Sequence, residues 1–143
     1  MVTKIKSLVL KFTLSALIIG ILVGVLELYI GHRFILDPLL YNIDYGFTYE
    51  TYFAPTFYGL TKSIVVGLTS FLSLLFMAKR KINLMIKSAI VGVLGTAIFA
   101  LYYYFTFPHV GLYATVLVGI VHFSFIAGIT YIVSKFTKLD KIK

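Results

Sequence analysis

The sequence predicts an all-α integral membrane protein, a single domain in which four antiparallel transmembrane helices form a bundle. Two observations lead to this fold class. Of the 143 residues, 60% are hydrophobic and 13% are charged, whereas about 25% of the residues in a soluble domain are charged. The apolar residues are concentrated in four stretches, each close to the roughly 20 residues that a helix needs to cross the hydrocarbon core.

The four predicted spans are long and lack period-two alternation, which favours helices over strands. No residue between Lys87 and Lys135 carries a formal charge at neutral pH, and Pro108 and Gly111 divide this run into spans three and four. The predicted spans cover residues 7–30, 57–78, 84–105 and 112–134.

The N-terminus carries Lys4 and Lys6 before its apolar run, as a signal peptide does. The run is longer than a typical signal-peptide core, and no small-residue cleavage pattern follows it. We therefore expect the first helix to be retained.

The basic residues predict the orientation. Eleven of the 13 Lys and Arg residues lie in the N-terminal flank, in the link between spans two and three, or in the C-terminal tail. Four crossings place these segments on one side, which the positive-inside rule identifies as cytoplasmic. We expect a cell-membrane protein with both termini in the cytoplasm, and we attribute the net charge of +8 to topology rather than to nucleic-acid binding.

The connection between spans one and two, residues 32–56, is long and aromatic. Tyrosine favours the headgroup region because its ring is apolar and its hydroxyl group needs water. We expect this external segment to lie on the membrane surface, cover the bundle or dock on another subunit. The candidate partner contacts are Phe34, Tyr41, Tyr45, Tyr49, Tyr52 and Phe53.

Glu27 is the one carboxylate inside a predicted span. A charge in hydrocarbon usually faces the bundle and has a partner. Glu27 lies roughly 6 Å and Lys62 roughly 8 Å below the outer ends of their spans, at about 1.5 Å per residue. We therefore predict an ion pair that pins two helices. Two alternatives are that Lys62 extends its ammonium group to the outer surface, or that Glu27 lines a proton or substrate path.

His122 lies near the middle of span four. A histidine at this depth is expected to be neutral and hydrogen-bonded to a neighbouring helix. The sharper hypothesis is a proton relay with Glu27. By the same rise per residue, however, His122 lies roughly 10 Å deeper, so water or tyrosine hydroxyl groups would have to bridge the two residues.

Two pairs of small residues predict close helix packing: Gly20 with Gly24 in span one, and Ser124 with Gly128 in span four. This spacing lets two helix backbones approach closely, either within the bundle or between chains. Small and hydroxyl residues along span two similarly indicate tight packing or a polar cavity.

His32 and His109 both fall on the outer side, but no metal-binding spacing accompanies them. The sequence also contains no phosphate loop, no nucleophile elbow and no cysteine. We therefore expect no metal, no cofactor and no catalytic residue, although a membrane enzyme that uses the outer histidines stays an alternative.

The expected function is that of a non-catalytic accessory subunit of a larger membrane complex, for example a respiratory or monooxygenase-type enzyme. The short chain, its few chemical groups and its apolar external segment favour this function, with lipid and other membrane subunits as partners. The alternative is a small homo-oligomeric transporter or channel that uses Glu27, Lys62 and His122.

Overall fold

The computed structural model describes residues 2–39, 53–78, 80–106 and 111–139. All the secondary-structure elements in these ranges are helices, and the ranges contain no strand. Helix α1 spans Val2–Leu26 and continues directly into a π-helix, π1, at Glu27–Leu36 and a short helix, α2, at Asp37–Leu39. Helices α3, α4 and α5 follow at Phe53–Phe76, Leu84–Thr106 and Leu112–Phe136.

Four helical stretches of the described chain are long and apolar enough to cross a membrane: Ser7–Leu36, Gly59–Phe76, Leu84–Leu101 and Leu112–Phe136. In hydrocarbon each backbone amide and carbonyl group needs a partner within the chain, and a helix supplies these partners. The outer faces carry exposed apolar side chains, which lipid tolerates and water does not. These features confirm the all-helical class and indicate a multi-pass membrane protein.

Local chemistry sets several helix ends. Pro55 lies in the first turn of α3, where its missing N–H group is not needed. The Asn83 side chain accepts a hydrogen bond from the backbone N–H of Met85 at 3.0 Å and so caps the start of α4. Lys138 adopts the left-handed conformation, with φ of 56°, just after α5 ends.

Helix α1 packs along α3 through facing glycines. A Cβ atom added at Gly24 would lie 2.6 Å from the carbonyl oxygen of Gly59, and one added at Gly20 would lie 3.1 Å from the Cα atom of Gly67. Both helices therefore need a small residue at the crossing, as close backbone approach in membranes requires. Helix α4 packs along α5 in a second extensive interface.

The apolar core lies between all four long helices, and π1 adds a smaller cluster against α5. In that cluster Leu36 packs with Ala114, Val118 and Val121. The main core consists of Phe12, Ile19, Val23, Val66, Leu74, Met77, Val91, Phe99, Ile126, Ile129, Val133 and Leu139.

The boundaries of the first connection differ from the predicted ones. Span one does not end near Ile30 but continues as helix to Leu36 and Leu39, and α3 begins at Phe53. The contact of Leu36 with α5 extends the first helix beyond the end that hydrophobicity alone suggests. Tyr41, Tyr45, Tyr49 and Tyr52 lie outside the described residues, as does the side chain of Phe53.

Candidate functional site

Three ionisable side chains meet inside the bundle: Glu27 at the start of π1, Lys62 on α3 and His122 on α5. They are 0%, 1% and 2% exposed, respectively. We call these three residues the charge cluster.

The helix ends explain why these residues share one level. Glu27 lies nine residues before Leu36, Lys62 nine residues after Phe53, and His122 ten residues after Leu112. The expectation that His122 lies roughly 10 Å deeper than Glu27 is wrong, because it took Ile30 as the end of the first span.

The cluster is held by direct contacts among all three side chains. Lys62 Nζ forms an ion pair with Glu27 Oε1, and His122 Nδ1 contacts the same carboxylate oxygen. Lys62 Nζ also lies 2.9 Å from His122 Nδ1 and 3.3 Å from His122 Nε2. The ion pair between Glu27 and Lys62 is therefore present, and the imidazole joins it. Extension of Lys62 to the surface is wrong.

Charge balance makes this arrangement possible in hydrocarbon. The carboxylate and the ammonium group cancel, so the formal charge of the cluster is zero when the imidazole is neutral. An unpaired buried ion costs several kcal/mol, and a close, hydrogen-bonded partner is needed to offset that cost. The charge cluster thus ties π1, α3 and α5 together at one level of the bundle.

His122 Nδ1 faces a donor and an acceptor at the same time. It can accept a hydrogen bond from the Lys62 ammonium group, or it can carry a proton and donate it to Glu27 Oε1. The imidazole therefore keeps a hydrogen bond in either protonation state.

Glu27 has a second carboxylate oxygen with a different environment. Glu27 Oε2 is buried and has no hydrogen-bond partner among residues 2–39, 53–78, 80–106 and 111–139. A buried carboxylate oxygen without a partner is unfavourable in its charged form. It offers a position at which an added proton would reduce the charge.

Phe99 on α4 covers the cluster and completes a layer drawn from π1, α3, α4 and α5. Its ring meets the His122 imidazole edge to face, with centroids 5.8 Å apart and planes 73° apart. Lys62 Nζ lies 4.8 Å from the centroid of the same ring, within cation–π range. Sequence reasoning missed Phe99 because a phenylalanine in a span more often faces lipid or core.

Glycine at position 31 allows π1 to approach the cluster. A Cβ atom at Gly31 would lie 3.0 Å from Glu27 Cγ and 3.2 Å from Val121 Cγ1. π-helical geometry is rare and is often found at functional sites. Here it begins at the buried carboxylate itself.

The other predicted site residues do not join the cluster. Gly20 and Gly24 pack against α3, as described above. Ser124 and Gly128 lie on an exposed face of α5, and a Cβ atom at Gly128 would meet nothing within 4 Å in the described chain. Packing within the bundle is therefore the wrong interpretation of this second pair.

Of the remaining partner and metal candidates, some lie within the described residues and others outside them. Phe34 is 68% exposed on π1. His109 and the side chain of His32 lie outside the described residues, so the metal hypothesis stays a prediction.

No family model, curated protein or solved structure matches this chain. The geometry of the charge cluster is therefore the basis for assigning a function.

Proposed function

We propose that this chain is a small proton-conducting channel or proton-coupled transporter, in which the charge cluster takes up and releases a proton. One observation carries the proposal: His122 Nδ1 lies between the ammonium group of Lys62 and the carboxylate of Glu27, in a site closed to solvent. Ionisable residues inside a membrane span commonly mark proton or ion paths.

The cluster suits a proton better than a larger cargo. Its three side chains contact one another directly and are covered by Phe99. Within the cluster a proton needs no cavity, because it can move along the contacts that already join these three side chains. Protonation of the cluster would change its formal charge by one and weaken the attraction between π1 and α3, which would couple proton binding to helix packing.

We further propose that the helices cross the cell membrane in alternating directions, with both termini cytoplasmic. The distribution of Lys and Arg supports this orientation. The order of contacts between α1 and α3 supports the alternation. Gly67 approaches Ala16, whereas Gly59 approaches Gly24, so residue numbers rise along one helix as they fall along the other.

Proton flux in proteoliposomes tests the function. Purified protein is reconstituted with a pH-sensitive dye inside the vesicles, and a potassium gradient with valinomycin supplies the driving force. We expect the wild type to conduct protons and Glu27→Gln to stop conduction. Glu50→Gln, which makes the same chemical change outside the spans predicted from the sequence, is the matched control and should conduct normally.

The folding of Glu27→Gln is checked by size-exclusion profile and helical circular dichroism. His122→Gln provides a second test, because it removes the titrating ring but keeps hydrogen-bonding groups. Wild-type vesicles that hold their gradient as well as empty vesicles would refute the proposal. Normal flux through folded Glu27→Gln and His122→Gln would refute the role of the cluster.

A non-catalytic accessory subunit is the second candidate, and the exposed Ser124–Gly128 face of α5 favours it. Small residues on an outward face permit close contact with a helix of another chain. Purification in mild detergent should then recover other membrane subunits at fixed stoichiometry, and Gly128→Leu should release them. Recovery of this chain alone would refute this candidate.

A further inference from the structure

Two groups of serine and threonine side chains differ in how their hydroxyl groups are bonded. The six members of the first group, at exposed or half-buried positions, donate a hydrogen bond to a carbonyl group one turn earlier in the chain, at 2.7–3.2 Å. This is the usual way for a hydroxyl group in a membrane helix to be satisfied. The group comprises Thr13, Ser63, Thr69, Thr115, Ser124 and Thr137.

The second group faces the interior and has no such bond. Its side-chain oxygens are buried, with residue exposures of 0–2%, and have no hydrogen-bond partner within the described ranges. All four long helices contribute. We call this group the hydroxyl layer: Ser15 on α1, Ser70 on α3, Ser88 on α4, and Thr130 and Ser134 on α5.

The hydroxyl layer lies nearer the basic segments of the chain than the charge cluster does. Ser70 follows Lys62 by eight residues, and Ser15 precedes Glu27 by 12. At about 1.5 Å per residue the separation along the helices is roughly 12–18 Å. The same separation holds on α5, where Thr130 follows the cluster by eight residues.

Helix contacts place the hydroxyl groups at matching levels. A Cβ atom added at Gly67 would lie 3.3 Å from the Ala16 carbonyl oxygen, and Ser15 and Ser70 each lie within one turn of that contact. A second contact aligns the other helix pair. A Cβ atom at Gly92 would lie 2.9 Å from Ala127 Cβ, and Ser88 and Thr130 lie within about one turn of it.

Apolar side chains separate the two polar levels. Val23, Val66, Val91 and Ile126 are each 0% exposed and lie along the helices between the charge cluster and the hydroxyl layer. A narrow apolar constriction in a membrane protein can be dry when closed and hydrated when open. The fully buried side chains between the two polar levels are therefore apolar, and the half-buried Thr96 on α4 is a polar exception, because its side-chain oxygen is buried without a hydrogen-bond partner in the described ranges.

We propose that the hydroxyl layer binds a small cluster of water molecules, which passes protons between the basic end of the bundle and the charge cluster. This role rests on the proposed proton function. Water fits because it donates and accepts hydrogen bonds, as hydroxyl groups do, and a buried water typically makes about three of them. When the apolar level opens and admits water, a protonated water in the hydroxyl layer passes its proton along these waters to the Glu27–His122 pair and returns to neutral water.

Water contact is measured by solid-state NMR in lipid bilayers, through magnetisation transfer from water to assigned side chains. We expect rapid transfer to Thr130 and Ser88, and slow transfer to Val66 and Val91. Thr69, which bonds to its own helix, is the matched threonine and should resemble the valines. Transfer to Thr130 and Ser88 as slow as to the valines would overturn the water site, whatever the flux measurement gives.

Flux tests the path separately from the cluster. A double variant, Thr130→Val with Ser70→Ala, should lower proton flux roughly tenfold or more because it breaks the hydrogen-bonded chain. Thr69→Val is the control and should conduct normally. Normal flux in the double variant, with Glu27→Gln inactive, would overturn the path but leave the proposed function intact. Absence of flux in the wild type would overturn both the proposed function and the proton-passing role.

Discussion

The charge cluster and the hydroxyl layer are both polar and both buried in the same bundle, yet their side chains are satisfied in different ways. In the charge cluster Glu27, Lys62 and His122 contact one another. In the hydroxyl layer Ser15 and Ser70, for example, have no partner in the part of the chain that the structure describes. An ion in hydrocarbon needs a counter-ion from the protein itself, whereas a hydroxyl group can be satisfied by water.

The largest expected effect on stability follows from the removal of one charge from the charge cluster. Glu27→Leu leaves the Lys62 ammonium group without its counter-ion and should lower the free energy of unfolding by about 3–5 kcal/mol. Reversible unfolding in mixed micelles with rising SDS measures this change.

The paired substitution is the control for that effect. Glu27→Leu with Lys62→Met removes both charges and should regain most of the lost stability, since apolar replacements of a buried ion pair are often neutral. If Glu27→Leu alone lowered the free energy of unfolding no more than the double variant does, the two charges would not be coupled.

The segment that joins the two levels should tolerate little added volume. Gly20 lies between Glu27 and Ser15 on α1, and a Cβ atom there would collide with the Ser63 carbonyl oxygen. Gly20→Val should cost about 1–3 kcal/mol through overpacking, measured by the same unfolding assay. Gly128→Val, made where the added atoms meet nothing in the described chain, should change stability by less than about 0.5 kcal/mol. Equal effects would contradict the observed α1–α3 contact.

A smaller effect should follow from loss of the aromatic cover over the charge cluster. Phe99→Leu removes both the edge-to-face contact with His122 and the cation–π contact with Lys62. The expected loss is about 1–2 kcal/mol in the unfolding assay. Phe136→Leu, at an 83% exposed position, is the control and should be close to neutral. Equal free energies of unfolding for the two variants would mean that the contacts of the Phe99 ring with His122 and Lys62 do not stabilise the protein.

The smallest expected effect is the change in the free energy of unfolding that follows removal of a hydroxyl group from the hydroxyl layer. The sign of this change tells whether water satisfies the layer. If water satisfies Ser70, then Ser70→Ala loses hydrogen bonds and should cost up to about 1 kcal/mol. If the hydroxyl group is unsatisfied, its removal should instead raise the free energy of unfolding by about 1–3 kcal/mol. We expect a small loss, with Ser124→Ala near zero as the reference for a hydroxyl group bonded to its own helix.

The sequence predicted the spans and the Glu27–Lys62 pair because both follow from general costs in hydrocarbon. A long apolar stretch is readable without tertiary information, and a lone carboxylate in a span implies a nearby cation. The depth of His122 was misjudged because it depends on where the first helix ends. The helix continues at least to Leu39, and Leu36 packs against α5, a tertiary contact that no local pattern reveals.

The hydroxyl layer and Phe99 were not predicted for a related reason. Thr69 and Ser70 are neighbours on α3, yet Thr69 bonds to its own helix and Ser70 is buried with no hydrogen-bond partner among the described residues. Residue type and spacing do not distinguish these environments, because the direction of a side chain depends on how four helices pack. The same holds for Gly24, which meets α3, and Gly128, which meets nothing in the described ranges.

The most direct test of proton exchange observes the charge cluster itself. The protein is reconstituted in bilayers with labelled glutamate and histidine, and NMR follows the Glu27 carboxyl carbon and the His122 ring nitrogens from acidic to alkaline buffer. The sequence contains two glutamates and three histidines, so few labelled signals need to be assigned. We predict that at least one of the two residues changes protonation state while the helices stay folded. Constant signals from both residues over the whole range would contradict proton exchange at this site.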